Sequence, residues 1–242
     1  MSALCLRGIA CVCMLFDHIG FLWGILPLRY VGRLAFPIFA FLIYNGFVHT
    51  HSRGKYALRL ALFALLSQIP FSLFCKNEIS FENWNVMLTL LLAMLCLWCI
   101  DCFRKRKLAW LSFAPIAALF AMYYVDLLQS DYGFRGILTV LSFGLFYRKS
   151  KLLTALSVAA ASLWPFLETA VPRLLLIALG RTLSLPVMTQ WQAMQLLALL
   201  ALVPIFLYNG TRGKYGSKAV QYGFYLFYPA HMLLLWVLLS VF

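Results

Sequence analysis

The chain has 242 residues, of which 64% are hydrophobic and only 11% charged, too few charges to cover the surface of a water-soluble domain. An apolar run of about 20 residues spans a bilayer as a helix, so the sequence predicts one all-α domain, residues 1–242. We expect a polytopic transmembrane bundle of about nine to ten spans. The net charge of +13 lies mainly in loops between apolar runs, which argues against nucleic-acid binding and for orientation of helices in a lipid bilayer.

The predicted spans follow one another along the chain with short loops. Hydropathy places them near residues 4–26, 31–49, 56–75, 85–103, 108–125, 134–147, 151–167, 191–208 and 219–241. The stretch 165–190 contains prolines and arginines without a continuous apolar core, so we expect a short re-entrant or interfacial helix there. A tenth span in this stretch is the alternative.

Loop charges predict the orientation of the helices. Four loops hold 13 of the 20 basic residues, at 53–59, 104–107, 148–151 and 212–218. Five of the seven acidic residues lie in the alternate loops. Because basic loops stay in the cytoplasm, we expect a bacterial inner-membrane protein with its N terminus inside. The seven cysteines lie in or beside apolar runs, where we expect them to pack rather than to bind a metal or form disulfides.

The first predicted helix carries Asp17 and His18 near its middle, where ionisable groups are costly in a bilayer and mark a functional path. Neighbouring helical residues point about 100° apart, so the partner of His18 must come from another helix. His231 in the last span and Asn45 in the second are the candidates. Asp17 is expected to pair with Arg33.

Burial disfavours the protonated form of an imidazole, so a buried His18 can accept a proton from a hydroxyl or amine as a general base. A buried histidine in a proton-coupled transporter would bind and release protons instead. His18 by itself does not separate these two hypotheses.

Basic residues cluster after the second predicted span, where His49, Arg53, Lys55 and Arg59 follow one another. Guanidinium groups on a membrane face can clamp the phosphates of a nucleotide-bearing acyl donor through paired hydrogen bonds. The alternative is ordinary positive charge that contacts lipid headgroups.

A loop on the side with more acidic residues carries Asp126 and Asp131 before the sequence YGFRG, which begins with Tyr132. A carboxylate in this loop can bind an acceptor amine, or Asp131 can simply cap the next helix. Near the C terminus, the loop YNGTRGKYGSK resembles a phosphate-binding loop only weakly.

Several motifs resemble the TraX family, named for the F-pilin N-acetylase, within the membrane acyltransferase-three superfamily. They are DHIG, GRLAFPIFAFL, SQIPF, DYGFRGIL, YNGTRG and FYLFYPAHMLLL, and the similarity runs from Arg7 to Leu235. Arg7 and His18, with ten residues between them, match the superfamily's first-helix pair. Where that superfamily has Ser-Gly after its second-helix motif, this chain has Asn45-Gly46.

The resemblance implies an acyl-CoA-dependent membrane acetyltransferase without a metal or a tightly bound cofactor. His18 would be the general base, with Asp17, Arg7 and His231 in the catalytic group. The donor acetyl-CoA would bind Arg53 and Arg59, with Asn45, His49 and Lys55 nearby. The acceptor, a peptide such as a pilin N terminus, a glycan or a lipid, would bind near Asp126, Asp131, Tyr132 and Arg33. A proton-coupled transporter or flippase is the alternative, and a purely structural membrane partner is a third hypothesis.

Overall fold

The structure is a computed structural model that describes residues 1–125, 129–213 and 217–241. Across these residues the regular elements are helices, and one isolated bridge joins Trp84 to Ser130. The all-α prediction is therefore confirmed. Asp126 and Lys214 lie outside the described residues.

The described residues form α-helices joined by short connections, and two segments, Ala109–Phe113 and Gln195–Ala201, are 3₁₀-helices. In chain order the α-helices are α1 Ala3–Leu22, α2 Leu26–Gly32, α3 Ala35–His49, α4 Arg53–Lys76, α5 Val86–Lys105, α6 Ala114–Tyr124, α7 Gly133–Phe146, α8 Lys151–Ser162, α9 Trp164–Ala178, α10 Gln190–Met194, α11 Leu202–Phe206 and α12 Lys218–Val241.

Five segments of the described chain are long and apolar enough to cross a membrane, as expected for a multi-pass membrane protein. They are α1, α2 with α3, α4, α5 and α12. A sixth is possible if α8 and α9, which meet at a bend of 73°, form one broken span. This bend lies at the start of the stretch for which a re-entrant helix is predicted.

The count of nine to ten spans is not confirmed, because three further apolar segments have only 10–17 residues. Helix α7, for example, has 14 residues. At about 1.5 Å per residue, such a helix is roughly 21 Å long, shorter than a hydrocarbon core of about 30 Å. Hydropathy detects the apolar character of these segments but not their short helical length.

Contacts between loops define two ends of the bundle. At the N-terminal end, the Met1 amino group donates a hydrogen bond of 2.6 Å to the Leu207 carbonyl. At the opposite end, the Trp84 N–H donates to the Gln129 carbonyl at 2.9 Å. These contacts place the N terminus beside the segment after α11, and the segment before α5 beside the segment before α7. That the N-terminal end faces the cytoplasm stays a prediction.

The core lies between α3, α5 and α7, where large apolar side chains are fully buried, among them Ile38, Phe41, Met94, Val140 and Phe143. Glycines on α7 permit this close packing. A Cβ on Gly136 would lie 2.6 Å from the Thr89 methyl group, and one on Gly144 would overlap the Leu97 side chain. The tight contact holds α7 against α5 and α3, and α3 in turn packs on α1, which carries the polar residues described next.

Candidate functional site

An ion cluster joins α1 to α2. Arg29 Nη1 lies 3.2 Å from one Asp17 carboxylate oxygen, and Arg33 Nη2 contacts the other. The two helices approach closely because Gly32 lies against Asp17, where a Cβ would overlap the Asp17 side chain, and Gly20 packs on the Ile25 carbonyl. The predicted Asp17–Arg33 pair is confirmed, and Arg29 is an additional partner.

This cluster carries more positive than negative charge. The side chains of Arg33, Asp17 and Arg29 are 5%, 13% and 18% exposed. One carboxylate neutralises only one of two guanidinium groups, and the low dielectric of a buried site strengthens the remaining field. The cluster therefore favours negative charge nearby.

His18 is paired with His231, which settles the choice between His231 and Asn45 as its partner. His18 Nδ1 lies 2.7 Å from His231 Nε2, and His231 Nδ1 lies 2.7 Å from the Phe227 carbonyl oxygen. The two rings are nearly coplanar, at 5°, with centroids 4.9 Å apart. This is the geometry of an edge-to-edge hydrogen bond between imidazoles.

The Phe227 carbonyl determines which nitrogens carry protons. A carbonyl only accepts, so Nδ1 of His231 must donate to it, and a neutral His231 then has an unprotonated Nε2. That nitrogen accepts from Nδ1 of His18. When both rings are neutral, Nε2 of His18 keeps a lone pair and can accept a proton from another molecule.

His18 lines a cavity of about 270 Å³, which we call the arginine cavity. Its polar lining consists of Asp17, His18, Arg29, Arg33, Asp131, Tyr132 and Arg135 with Trp191. The structure thus brings the predicted acceptor residues Asp131, Tyr132 and Arg33 together with His18 and Asp17. Among the described residues, no group of three His, Cys, Asp or Glu side chains is placed to hold a metal ion.

Asp131 lies in this cavity at the opposite end of the bundle. Its backbone N–H donates to the Trp84 carbonyl at 2.9 Å, which anchors the loop. The residue is exposed to the cavity, yet desolvation by the surrounding protein raises the pKa of its carboxyl group, while Arg135 and Arg33 oppose that shift. Asp131 is therefore both accessible to a ligand and sensitive to the charge of one.

A second cavity of about 100 Å³, the tyrosine cavity, is lined by Arg7, Tyr56, Gln221 and Tyr225 at its polar side. The two cavities share the lining residues Met14, Phe36, Phe39, Val86 and Tyr228. They are therefore neighbours, separated by these common side chains. Together they run from Arg7 near the N-terminal end to His18 and Asp131.

The predicted donor arginines have different partners. Arg59 lies over the Tyr56 ring, 5.5 Å from its centroid, and close to the tyrosine cavity. Its Nε is buried without a hydrogen-bond partner in the described chain. Arg53 instead forms an ion pair of 2.6 Å with Asp101 and lies 4.2 Å from the Phe47 ring. The two guanidinium groups do not form one clamp in this state.

The other predicted donor residues lie at the N-terminal end, away from His18. Asn45 donates to the Tyr208 hydroxyl at 3.1 Å, and His49 is exposed and bonds to the Asn45 carbonyl. Lys55 is exposed. Asn45 lines neither the arginine cavity nor the tyrosine cavity.

Arg29 and Arg135 are parts of the site that the sequence motifs did not predict. A signal was present, because both arginines lie next to apolar runs on the side of the chain where acidic loops predominate. Arg29 is also four residues before Arg33, on the same helical face. A basic residue in such a loop is not needed to orient the helices in the membrane, so it indicates a specific role.

Comparisons with known proteins agree with the motifs. The family described as "TraX protein" matches residues 2–239. A protein of Dichelobacter nodosus described as "Probable fimbrial assembly protein FimC, serogroup H1" is 30% identical, over 97% of this chain and 94% of its own length. No solved structure matches the chain. The match to nearly every residue shows that the chain belongs to the TraX family.

Proposed function

We propose that this protein transfers an acetyl group from acetyl-CoA to an amine or hydroxyl group of an acceptor in the cell envelope. The observation that supports the proposal is the hydrogen-bonded chain from His18 through His231 to the Phe227 carbonyl. It leaves a lone pair on Nε2 of His18, beside a cavity large enough for a small reacting group.

The two cavities fit a division between donor and acceptor. The tyrosine cavity is small and mostly apolar, which suits the thioester end of the pantetheine arm of acetyl-CoA. Arg7 and Arg59 would hold its phosphates, since guanidinium groups bind phosphate through paired hydrogen bonds. The acceptor would enter the arginine cavity from the opposite end, past Asp131.

In the proposed reaction the acceptor nitrogen or oxygen attacks the thioester carbonyl carbon, and Nε2 of His18 takes its proton. Negative charge develops on the thioester oxygen, next to the surplus positive charge of Arg29 and Arg33. The carbon–sulfur bond then breaks. The leaving thiolate takes the proton from His18 and departs as the free thiol of CoA.

The test is acetyl transfer from radiolabelled acetyl-CoA to envelope fractions by the purified protein in liposomes. Loss of a general base typically lowers the rate about 10²- to 10⁴-fold, so His18→Gln should fall in that range. His51→Gln is the matched control, because His51 is exposed and outside both cavities. A His18→Gln rate within about tenfold of the wild type would reject the role of His18.

A proton-coupled transporter or flippase is the candidate from another class. The observation that favours it is the pair of hydrogen-bonded histidines beside ion-paired Asp17, a set of groups that can pass protons through a membrane. Substrate-driven proton uptake in liposomes without any need for acetyl-CoA would support this alternative. Release of CoA that depends on the acceptor would contradict it.

A further inference from the structure

Arg135 is held by two aromatic rings in the arginine cavity. Its guanidinium carbon lies 4.8 Å from the centroid of the Tyr132 ring and 5.1 Å from that of the Trp191 ring. The rings stabilise the positive charge through their electron-rich faces. Among the residues that the structure describes, the guanidinium has no ion-pair partner and no hydrogen-bond acceptor.

The rings that hold Arg135 are themselves anchored. Tyr132 stacks on Phe36 with ring centroids 3.7 Å apart at 10°. Gly133, which follows it, has a φ of 49°, a left-handed conformation that glycine adopts without strain and that starts α7 in this direction. The donors of Arg135 are therefore fixed in place before any ligand arrives, which lowers the entropic cost of binding.

Asp131 supplies an opposite charge in the same cavity. No basic side chain in the described parts of the chain lies within ion-pair distance of its carboxylate. Arg135 and Asp131 thus line the same cavity without forming an ion pair with each other in the described chain. A ligand that carries both an amine and an anionic group would satisfy both residues.

We infer that Arg135 binds a carboxylate of the acceptor, and that the acceptor is a peptide with an acidic side chain close to its reacting amine. This inference rests on the proposed acetyl transfer. A carboxylate is planar and accepts two parallel hydrogen bonds from a guanidinium group, which Arg135 has free. The peptide amine would lie near Asp131, in the same cavity that His18 lines.

The experiment measures selectivity between two synthetic peptides that differ only by Glu or Gln close to the N terminus. Both are offered with labelled acetyl-CoA to the purified protein in a neutral detergent. A hydrogen bond to a charged group contributes about 1.5–3 kcal/mol, so the wild type should prefer the acidic peptide roughly 10- to 100-fold in kcat/KM. Arg135→Gln should reduce this ratio to about one.

The ratio does not depend on how much of a variant is folded. Arg135→Lys keeps the charge without the planar fork and should give an intermediate ratio if Arg135→Gln cannot be purified. Arg173→Gln is the matched control, since Arg173 is exposed on α9, and it should keep the wild-type ratio.

Three outcomes would overturn the inference while leaving the acetyl transfer intact. They are equal rates for the two peptides in the wild type, an unchanged preference in Arg135→Gln, and appearance of the label in an added phospholipid instead of the peptides. If acetyl-CoA is consumed with no acceptor of any kind, or is not consumed at all, the proposed function itself fails.

Discussion

The imidazoles of His18 and His231 share a hydrogen bond of 2.7 Å although 213 positions separate them in the chain. His231 is 5% exposed, and its other nitrogen is occupied by the Phe227 carbonyl. The ring of His231 therefore has no free nitrogen for a substrate. Its contribution is to hold the tautomer and the orientation of His18.

A substitution at His231 should separate this positioning role from a role in packing. His231→Leu removes the acceptor for Nδ1 of His18, and we expect kcat to fall about 10- to 100-fold with little change in KM. His231→Gln keeps an acceptor oxygen and should recover part of the rate. Steady-state kinetics measure both, and an unchanged kcat in His231→Leu would contradict the positioning role.

Asp17 is expected to be essential for stability as well as for activity. Asp17→Asn leaves Arg29 and Arg33 without a counter-charge, and breaking a buried ion pair costs about 3–5 kcal/mol. Asp101→Asn is the matched control, because its pair with Arg53 is 27–32% exposed and contributes about 0–1 kcal/mol. Unfolding of the two purified variants in denaturing detergent measures their stabilities. Equal losses of stability in Asp17→Asn and Asp101→Asn would contradict a buried ion cluster at Asp17.

The close contact of α1 with α2 depends on Gly32. A Cβ at this position would overlap Asp17, so Gly32→Ala should destabilise the protein by about 1–3 kcal/mol and displace the ion cluster. Gly8→Ala, on α1 with open space around it, should be neutral or gain up to about 1 kcal/mol. Melting temperatures provide the comparison, and a stable Gly32→Ala variant would show that the helices can separate at no cost.

The donor arginines should differ in importance. Arg59 lies next to the tyrosine cavity with a free Nε, whereas Arg53 is occupied by Asp101. Arg59→Gln should therefore weaken CoA binding about tenfold, and Arg53→Gln less, as measured by titration calorimetry. Lys149→Gln, at an exposed basic position of the same end, is the control. A larger loss of CoA affinity in Arg53→Gln than in Arg59→Gln would instead indicate that the CoA phosphates bind beside Asp101.

The orientation of the bundle can be tested by labelling. Single cysteines near Glu78 and Asp131 should react with a membrane-impermeant reagent from outside, and those near Lys105 and Lys149 should not. Cysteine near Lys214 should also be protected. Labelling of the Lys214 loop from outside would reverse the proposed side of the last basic loop.

Composition and hydropathy were sufficient to predict a helical membrane protein. A chain with 64% hydrophobic and 11% charged residues has too few charges to cover a water-exposed surface, whatever its fold. The motif DHIG likewise identified Asp17 and His18, since ionised groups inside a span are costly wherever they occur. The number of spans was not predictable in this way. It depends on helix length and on the bend between α8 and α9, which packing decides.

The partners of the polar residues depended on tertiary structure. Nothing in the local sequence distinguished His231 from Asn45 as the partner of His18, because the choice depends on which helix lies beside α1. The same holds for Arg135, whose role follows from Tyr132 and Trp191, 59 positions apart in the chain. Sequence determines where charge is costly, whereas only the packing of distant helices decides how that cost is offset.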